Sequence, residues 1–251
     1  MINSILSGSS RQVSSVTTSN VRQASSLTAA ETFHNNQFKS NPMECLQDHL
    51  IDIRQVLNRG DAPMKEVLNE SMKQGYFTLI PREGGNSVLT LTPVSVATVS
   101  EQTSLIHAHW IPYKSGDVEP GYVDVPKNPG NVGVDHIVFA FTAGMNGCSL
   151  DVREHPEDSN YYRVFHNQHP ESQSQTGKIE AISGGHVDSL GPDEYFHPDE
   201  SGAPLLPVAM NMLHFANNQW NFVSQPQAYH AHTNEPLQMP GTHATTRAVN
   251  G

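Results

Sequence analysis

The stretch from His136 to His169, HIVFAFTAGMNGCSLDVREHPEDSNYYRVFHNQH, constrains the fold more than any other part of the chain. Its first apolar run, His136 to Thr142, holds Ile137, Val138, Phe139 and Phe141, β-branched and aromatic residues in a segment too short for a helix and suited to a buried strand. Gly144 stops the run. After a turn containing Gly147 and Cys148, the segments Cys148 to Val152 and Tyr161 to His166 repeat the strand signal around a charged, Pro-containing loop, the pattern of a hairpin. A thiol and an imidazole are thereby expected on neighbouring strands.

Composition agrees with a strand-rich fold. The chain carries 18 glycines and 17 prolines, 36% of its residues are hydrophobic and only 16% are charged, a loop-rich balance that argues against an all-α bundle. At 251 residues it is long enough for one domain with a full core and a tail. The net charge of −11, with no cluster of Lys and Arg, lacks the footprint that phosphate backbones require, so nucleic acid is not an expected partner. No run of 18 apolar residues is present, so no membrane span is expected, and the start of the chain lacks the basic and apolar regions of a secretory signal peptide. Cys45 and Cys148 are the only cysteines, too few for a disulfide framework or a multi-cysteine zinc site. A reducing compartment, a monomeric protein and no metal or organic cofactor are expected.

Residues 1–38 are dominated by Ser, Thr, Asn, Gln and Ala and read as a disordered tail. Their acid-poor, Ser-rich character resembles the export signal of bacterial type III secretion effectors. Residues 39–224 read as a single domain and 225–251 as a loosely structured C-terminal tail. Within the domain, Met43, Leu46, Leu50, Ile53 and Leu57 fall at helical spacing between Asn41 as N-cap and Gly60 as terminator. Cys45 sits on that helix as a buried small hydrophobe. A second helix is expected from Asp61 to Gly75. Tyr76 to Ile80, Ser87 to Val99 and Thr103 to Tyr113 read as strands, with Pro93 bending the middle one or placing it at an edge. Residues 114–134 read as a surface loop, Lys178 to Ile182 as a weak strand, and 184–203 as loop. Pro207 to Phe215 and Gln219 to Val223 are the last apolar segments, strands or a helix and a strand.

Cysteine attacks as thiolate, and it is activated by a nearby imidazole, by exposure at a turn, and by backbone N–H groups aimed at developing charge. Cys148 as nucleophile and His166 as base meet these requirements, with the Asn146 and Gly147 turn as an oxyanion hole. His169 is the alternative base. In a rival arrangement, papain-like or transglutaminase-like, His186 with Asp188 or Asp193 would serve Cys148. Those folds set the cysteine at a helix N-terminus, whereas SLDVRE alternates like a strand. Another class is a non-catalytic β-sandwich interaction module with Cys148 inert. A metal reading rests on His107 and His109, which share one side of a strand, or on His230 and His232, without a third ligand at recognisable spacing.

FTAGMNGC followed by a strand, a loop and YYRVFHNQ resembles the catalytic core of the glutamine deamidase toxins, the cytotoxic necrotising factor catalytic domain and Burkholderia lethal factor. Gly147 and Cys148 match that family's Leu-Ser-Gly-Cys turn, with Asn146 in place of Ser, and Thr142 stands six residues before the cysteine. The Cys to His interval is longer than in those relatives. The resemblance implies an α/β fold, a strand-rich β-sandwich flanked by helices. It also implies a secreted bacterial effector that deamidates a glutamine of a host protein in the host cytosol. Cys148 would be nucleophile, His166 base and Thr142 the group that orients the imidazole.

Overall fold

The computed structural model describes residues 22–23, 26–53, 73–82, 85–95, 102–116, 118–131, 136–195, 204–233, 235–239 and 241–250. Its strands are β1 (Arg22–Gln23), β2 (Leu50–Asp52), β3 (Gln74–Arg82), β4 (Gly85–Ser95), β5 (Ile106–Ile111), β6 (Gly121–Pro126), β7 (Phe139–Thr142), β8 (Ser149–Glu154), β9 (Tyr161–Asn167), β10 (His186–Leu190), β11 (Leu205–Ala216), β12 (Gln219–His230), β13 (Pro236–Gln238) and β14 (Thr245–Ala248). The helices are α1 (Ala29–Ser40), α2 (Pro42–Asp48), α3 (Gln173–Ile182) and α4 (Pro192–Tyr195).

A mixed ten-stranded sheet runs β1-β4-β3-β5-β7-β11-β12-β13, with β2 beside β4 and β14 beside β12. A second, four-stranded sheet runs β10-β8-β9-β6 and is antiparallel throughout. Strand periodicity decides which side chains go where, because successive residues point to opposite faces. Trp110, Phe139, Phe141 and Met212 face one way and pack with Phe38 of α1 and Cys45 and Leu46 of α2. Ile111, Ala140, Ala209 and Leu213 face the other way, onto Val123, Leu150, Val152 and Val164 of the smaller sheet. The molecule is therefore a strand-rich α/β fold in which helices, a large sheet and a small sheet are layered.

Local chemistry accounts for the element ends. Thr28 and Glu31 form a capping box at α1: the Thr28 hydroxyl accepts from the Glu31 N–H at 3.2 Å, and the Glu31 carboxylate accepts from the Thr28 N–H at 2.7 Å. Asn41 caps α2, with Pro42 in its first turn. The long β11–β12 hairpin turns at Asn217 and Asn218, both with positive φ of 54° and 62°, as a two-residue loop needs to match strand twist.

Several sequence expectations are corrected. The expected tail to residue 38 gives way to helix from Ala29, because a capping box and buried Phe38 lie within that Ser- and Thr-rich start. The helix from Asn41 ends at Asp48, where Leu50–Asp52 pair in parallel with β4; sheet pairing overrides the helical period. The second expected helix, and the ends of the first helix and of the Ser87 to Val99 strand, lie outside the described residues. The expected loop 114–134 contains β6, whose buried Val123 and Val125 alternate with outer residues. Lys178 to Ile182 is the end of α3, capped by Ser172, and His186–Leu190 is a strand paired with β8. The expected C-terminal tail is sheet: β12 continues to His230 and is flanked by β13 and β14. Arg247 on β14 fastens that end, donating to Asp188 at 2.7 Å and Glu194 at 2.9 Å.

Candidate functional site

The site lies where the end of β7 on the large sheet meets β8 and β9 on the small one. Thr142 follows Phe141 and shares the parity of Ala140, so its hydroxyl points toward the small sheet. His166 on β9 is opposite Leu150 on β8, and Cys148, two residues before Leu150, packs in the same intersheet cluster. The thiol, just before β8, and the imidazole on β9 thus lie on the same side of the small sheet. The preceding turn is pinned to β11 by two backbone hydrogen bonds between Met145 and Ala209, of 2.9 and 2.8 Å. Gly147 adopts φ +78°, the left-handed region open to glycine, and Asn146 and Gly147 are exposed.

Hydrogen bonding fixes the imidazole. Thr142 Oγ1 donates to the Ile111 carbonyl at 2.9 Å and stands 2.6 Å from His166 Nδ1. A hydroxyl has one proton, so with Ile111 accepting it the ring nitrogen must be the donor. This arrangement assigns the tautomer with hydrogen on Nδ1 and a lone pair on Nε2. The ring is completely buried, and Nε2 has no hydrogen-bond partner among the described residues. Burial lowers the His166 pKa to about 3, which keeps the ring neutral. Burial also pushes the Cys148 thiol up, partly offset by the Asn146 N–H facing the sulfur. No hydrogen bond joins Cys148 to His166, so in this conformation the pair is a neutral thiol and a neutral imidazole.

Two tyrosines complete the surroundings without having been singled out in the sequence. Tyr195 on α4 is buried and donates to the Cys148 carbonyl at 2.6 Å, bracing the turn from behind. The ring of Tyr113 lies 4.9 Å from that of His166 at 58°. Burial and then the charge of a Cys148 thiolate push the Tyr113 phenol up. An aromatic at the end of an expected strand, or a tyrosine in PDEY, gives no periodic signal that marks it as part of a site.

The other expected residues are elsewhere. His169 is exposed and lines a groove of about 500 Å³ with Gly147, Gln168, Ser172 and Pro192, beside the thiol turn but outside the buried cluster. His186 is opposite Arg153, five residues along the chain from Cys148, or roughly 16 Å at strand rise. Asp188 is held by Arg247, and Asp193 lies on α4. The papain-like grouping around His186 is therefore not assembled. His109 is buried and lowered to about 4 by burial and by the neighbouring His107, whose ring stacks on Tyr76 at 4.3 Å. His230 and His232 have rings 5.6 Å apart at an exposed turn. Among the described residues, no three His, Cys, Asp or Glu side chains gather as a metal ion would need, and no helix is long and apolar enough to cross a membrane.

No curated protein matches the chain. A family model described as the Mcf1 activator-binding domain matches residues 33–249, from within α1 to the residue after β14. That match spans both sheets and the helices between them, and the chain belongs to the Mcf1 activator-binding domain family.

Proposed function

We propose that this chain is a protein-binding domain whose partner acts as an activator. The observation that carries this reading is the family match over residues 33–249, which takes in all of the fold but β1 and the start of α1 rather than one motif. A net charge of −11 favours a partner with a basic contact face, since complementary charge speeds encounter and rejects acidic competitors. The test is capture on the immobilised chain from host-cell lysate, with heat-unfolded chain as control, then size-exclusion chromatography of the purified pair. The expected result is one protein that co-elutes stoichiometrically at low salt and dissociates as salt rises. A chain that retains nothing beyond the unfolded control overturns the reading.

The unpartnered Nε2 of His166, oriented through Thr142 beside Cys148, favours a second reading: a thiol hydrolase that deamidates a protein glutamine. In it, Nε2 takes the Cys148 proton as sulfur attacks the side-chain amide carbon. N–H groups of the Asn146 to Cys148 turn hold the oxyanion, ammonia leaves with the proton from His166, and water hydrolyses the thioester. This reading rests on likeness to the cytotoxic necrotising factor catalytic domain and lethal factor, and it carries delivery from a bacterium into a host cytosol. Intact mass spectrometry of host proteins exposed to wild type and to Cys148→Ser tests it. A gain of about 1 Da on one glutamine with wild type alone supports it. A cleaved protein, or no change in mass, removes it.

A further inference from the structure

We infer that the loop after β5, residues 112–116, is a lid over the His166 imidazole, with Tyr113 as its plug and, as its latch, the side-chain amide of Gln168 on Gly116 and that of Gln175 on Val118 just beyond. The inference takes the thiol site of the second reading and concerns how that site is reached.

His166 has no solvent-exposed surface, whereas the Tyr113 ring packed 4.9 Å from it is 41% exposed. One side of Tyr113 therefore covers the imidazole and the other meets solvent. The loop is seated by a backbone approach that only glycine allows. Gly121 on β6 pairs directly with His166 on β9, and a Cβ at Gly121 would lie 2.1 Å from the Pro112 carbonyl oxygen. The chain thus crosses β6 beside the histidine, delivering Tyr113 over its ring.

Farther along, Gln168 Nε2 donates to the Gly116 carbonyl at 3.0 Å and to the Val118 carbonyl at 3.4 Å, while Gln175 Nε2 of α3 donates to Val118 at 2.8 Å. Both glutamines are buried, yet their Oε1 atoms have no partner among the described residues, where each amide grips the chain by its nitrogen. Beyond Pro112, which is buried at the root of the loop, Tyr113, Ser115 and Gly116 are exposed, so little apolar burial adds to this hold. Segments fastened by a few hydrogen bonds and little buried surface are those that open locally without global unfolding. Gln168 also lines the groove of about 500 Å³ beside Gly147, so a molecule seated in that groove meets the latch directly.

Alkylation by iodoacetamide, followed by peptide mass spectrometry, reads the lid without requiring any enzymatic activity. Cys45, fully buried on α2, is the internal reference. Tyr113→Ala, and separately Gln168→Ala with Gln175→Ala, are expected to speed labelling of Cys148 by about tenfold or more while Cys45 stays slow. Tyr113→Phe, which keeps the ring, is expected to label at the wild-type rate. Unchanged Cys148 labelling in Tyr113→Ala and in the latch variant overturns the lid, as does a parallel rise at Cys45, which would signal general loosening. Fast labelling of Cys148 in these variants with no glutamine deamidated by any of them leaves the lid standing and removes the hydrolase.

Discussion

Phe141 and Thr142 are consecutive on β7, and their immediate surroundings on the two sides of the sheet differ in chemistry. Toward the helices, Phe141 packs among Phe38, Phe77 and Phe139 with ring centroids 5.3 to 6.0 Å apart, a dry face whose cohesion is area and shape. Toward the small sheet, Thr142, His166 and Asn211 are buried polar groups among Val, Leu and Ala, and Nε2 of His166 and Oδ1 of Asn211 lack partners among the described residues. Stability alone does not favour buried, unpaired polar atoms, each of which carries a desolvation cost. The helix side holds buried polar groups too, with Gln225 donating to the Leu46 carbonyl and Trp110 Nε1 without a partner among the described residues, so the difference is local: Phe141 sits among rings, and Thr142 beside the imidazole proposed above as a base.

The largest effect is expected on the dry side. Phe141→Ala removes a fully buried ring that three neighbours enclose, and should cost about 3 to 5 kcal/mol in urea or thermal unfolding. A loss below about 1 kcal/mol would mean that this face collapses around the cavity and is not the rigid partner in the comparison.

The same contrast explains what the sequence disclosed. Phe139 to Thr142, Ser149 to Glu154 and Tyr161 to Asn167 were legible because β-branched and aromatic runs punctuated by Gly and Pro have one economical solution. The placement of Thr142 beside His166 followed from likeness of motif, and the 2.6 Å contact depends on how two sheets are stacked, which no local pattern encodes. β6 and β14 were hidden because edge strands with prolines or polar residues look like loops until a partner strand supplies the hydrogen bonds. Tyr113 was hidden for a related reason: its position comes from the close approach of Pro112 to Gly121 at the start of β6, a contact between segments that no local pattern encodes.

The acid side sharpens the comparison next. His166 is held neutral, with its pKa lowered to about 3, while an unfolded histidine titrates near 6.5. Between those values the unfolded chain binds a proton that the folded chain refuses, so stability is full above pH 6.5 and declines as pH falls toward 3. The slope from this one residue is about 1.4 kcal/mol per pH unit, and His109, lowered to about 4, adds its own. His166→Gln should flatten the dependence of the urea midpoint between pH 6.5 and 4, leaving the contributions of His109 and of His214 and His34, which burial also lowers. An undiminished slope would show that the imidazole is not the buried, neutral group on which the polar face depends.

The smallest effect tests the polar face most directly. Thr142→Val preserves shape but deletes the hydroxyl, leaving the Ile111 carbonyl and His166 Nδ1 without the bonds they make through it. Loss of about 1 to 3 kcal/mol is expected, the cost of stranding buried polar atoms rather than of losing volume. A second reading of the same variant separates orientation from stability. Nitrogen-15 NMR of the wild-type ring should show the proton on Nδ1, and Thr142→Val should let it shift toward Nε2, since nothing then accepts from Nδ1. If the wild-type ring already carries its proton on Nε2, Thr142 donates to the histidine instead, the lone pair is absent from the side of Cys148, and the intersheet face loses its proposed base while Phe141 and its neighbours keep their role unchanged.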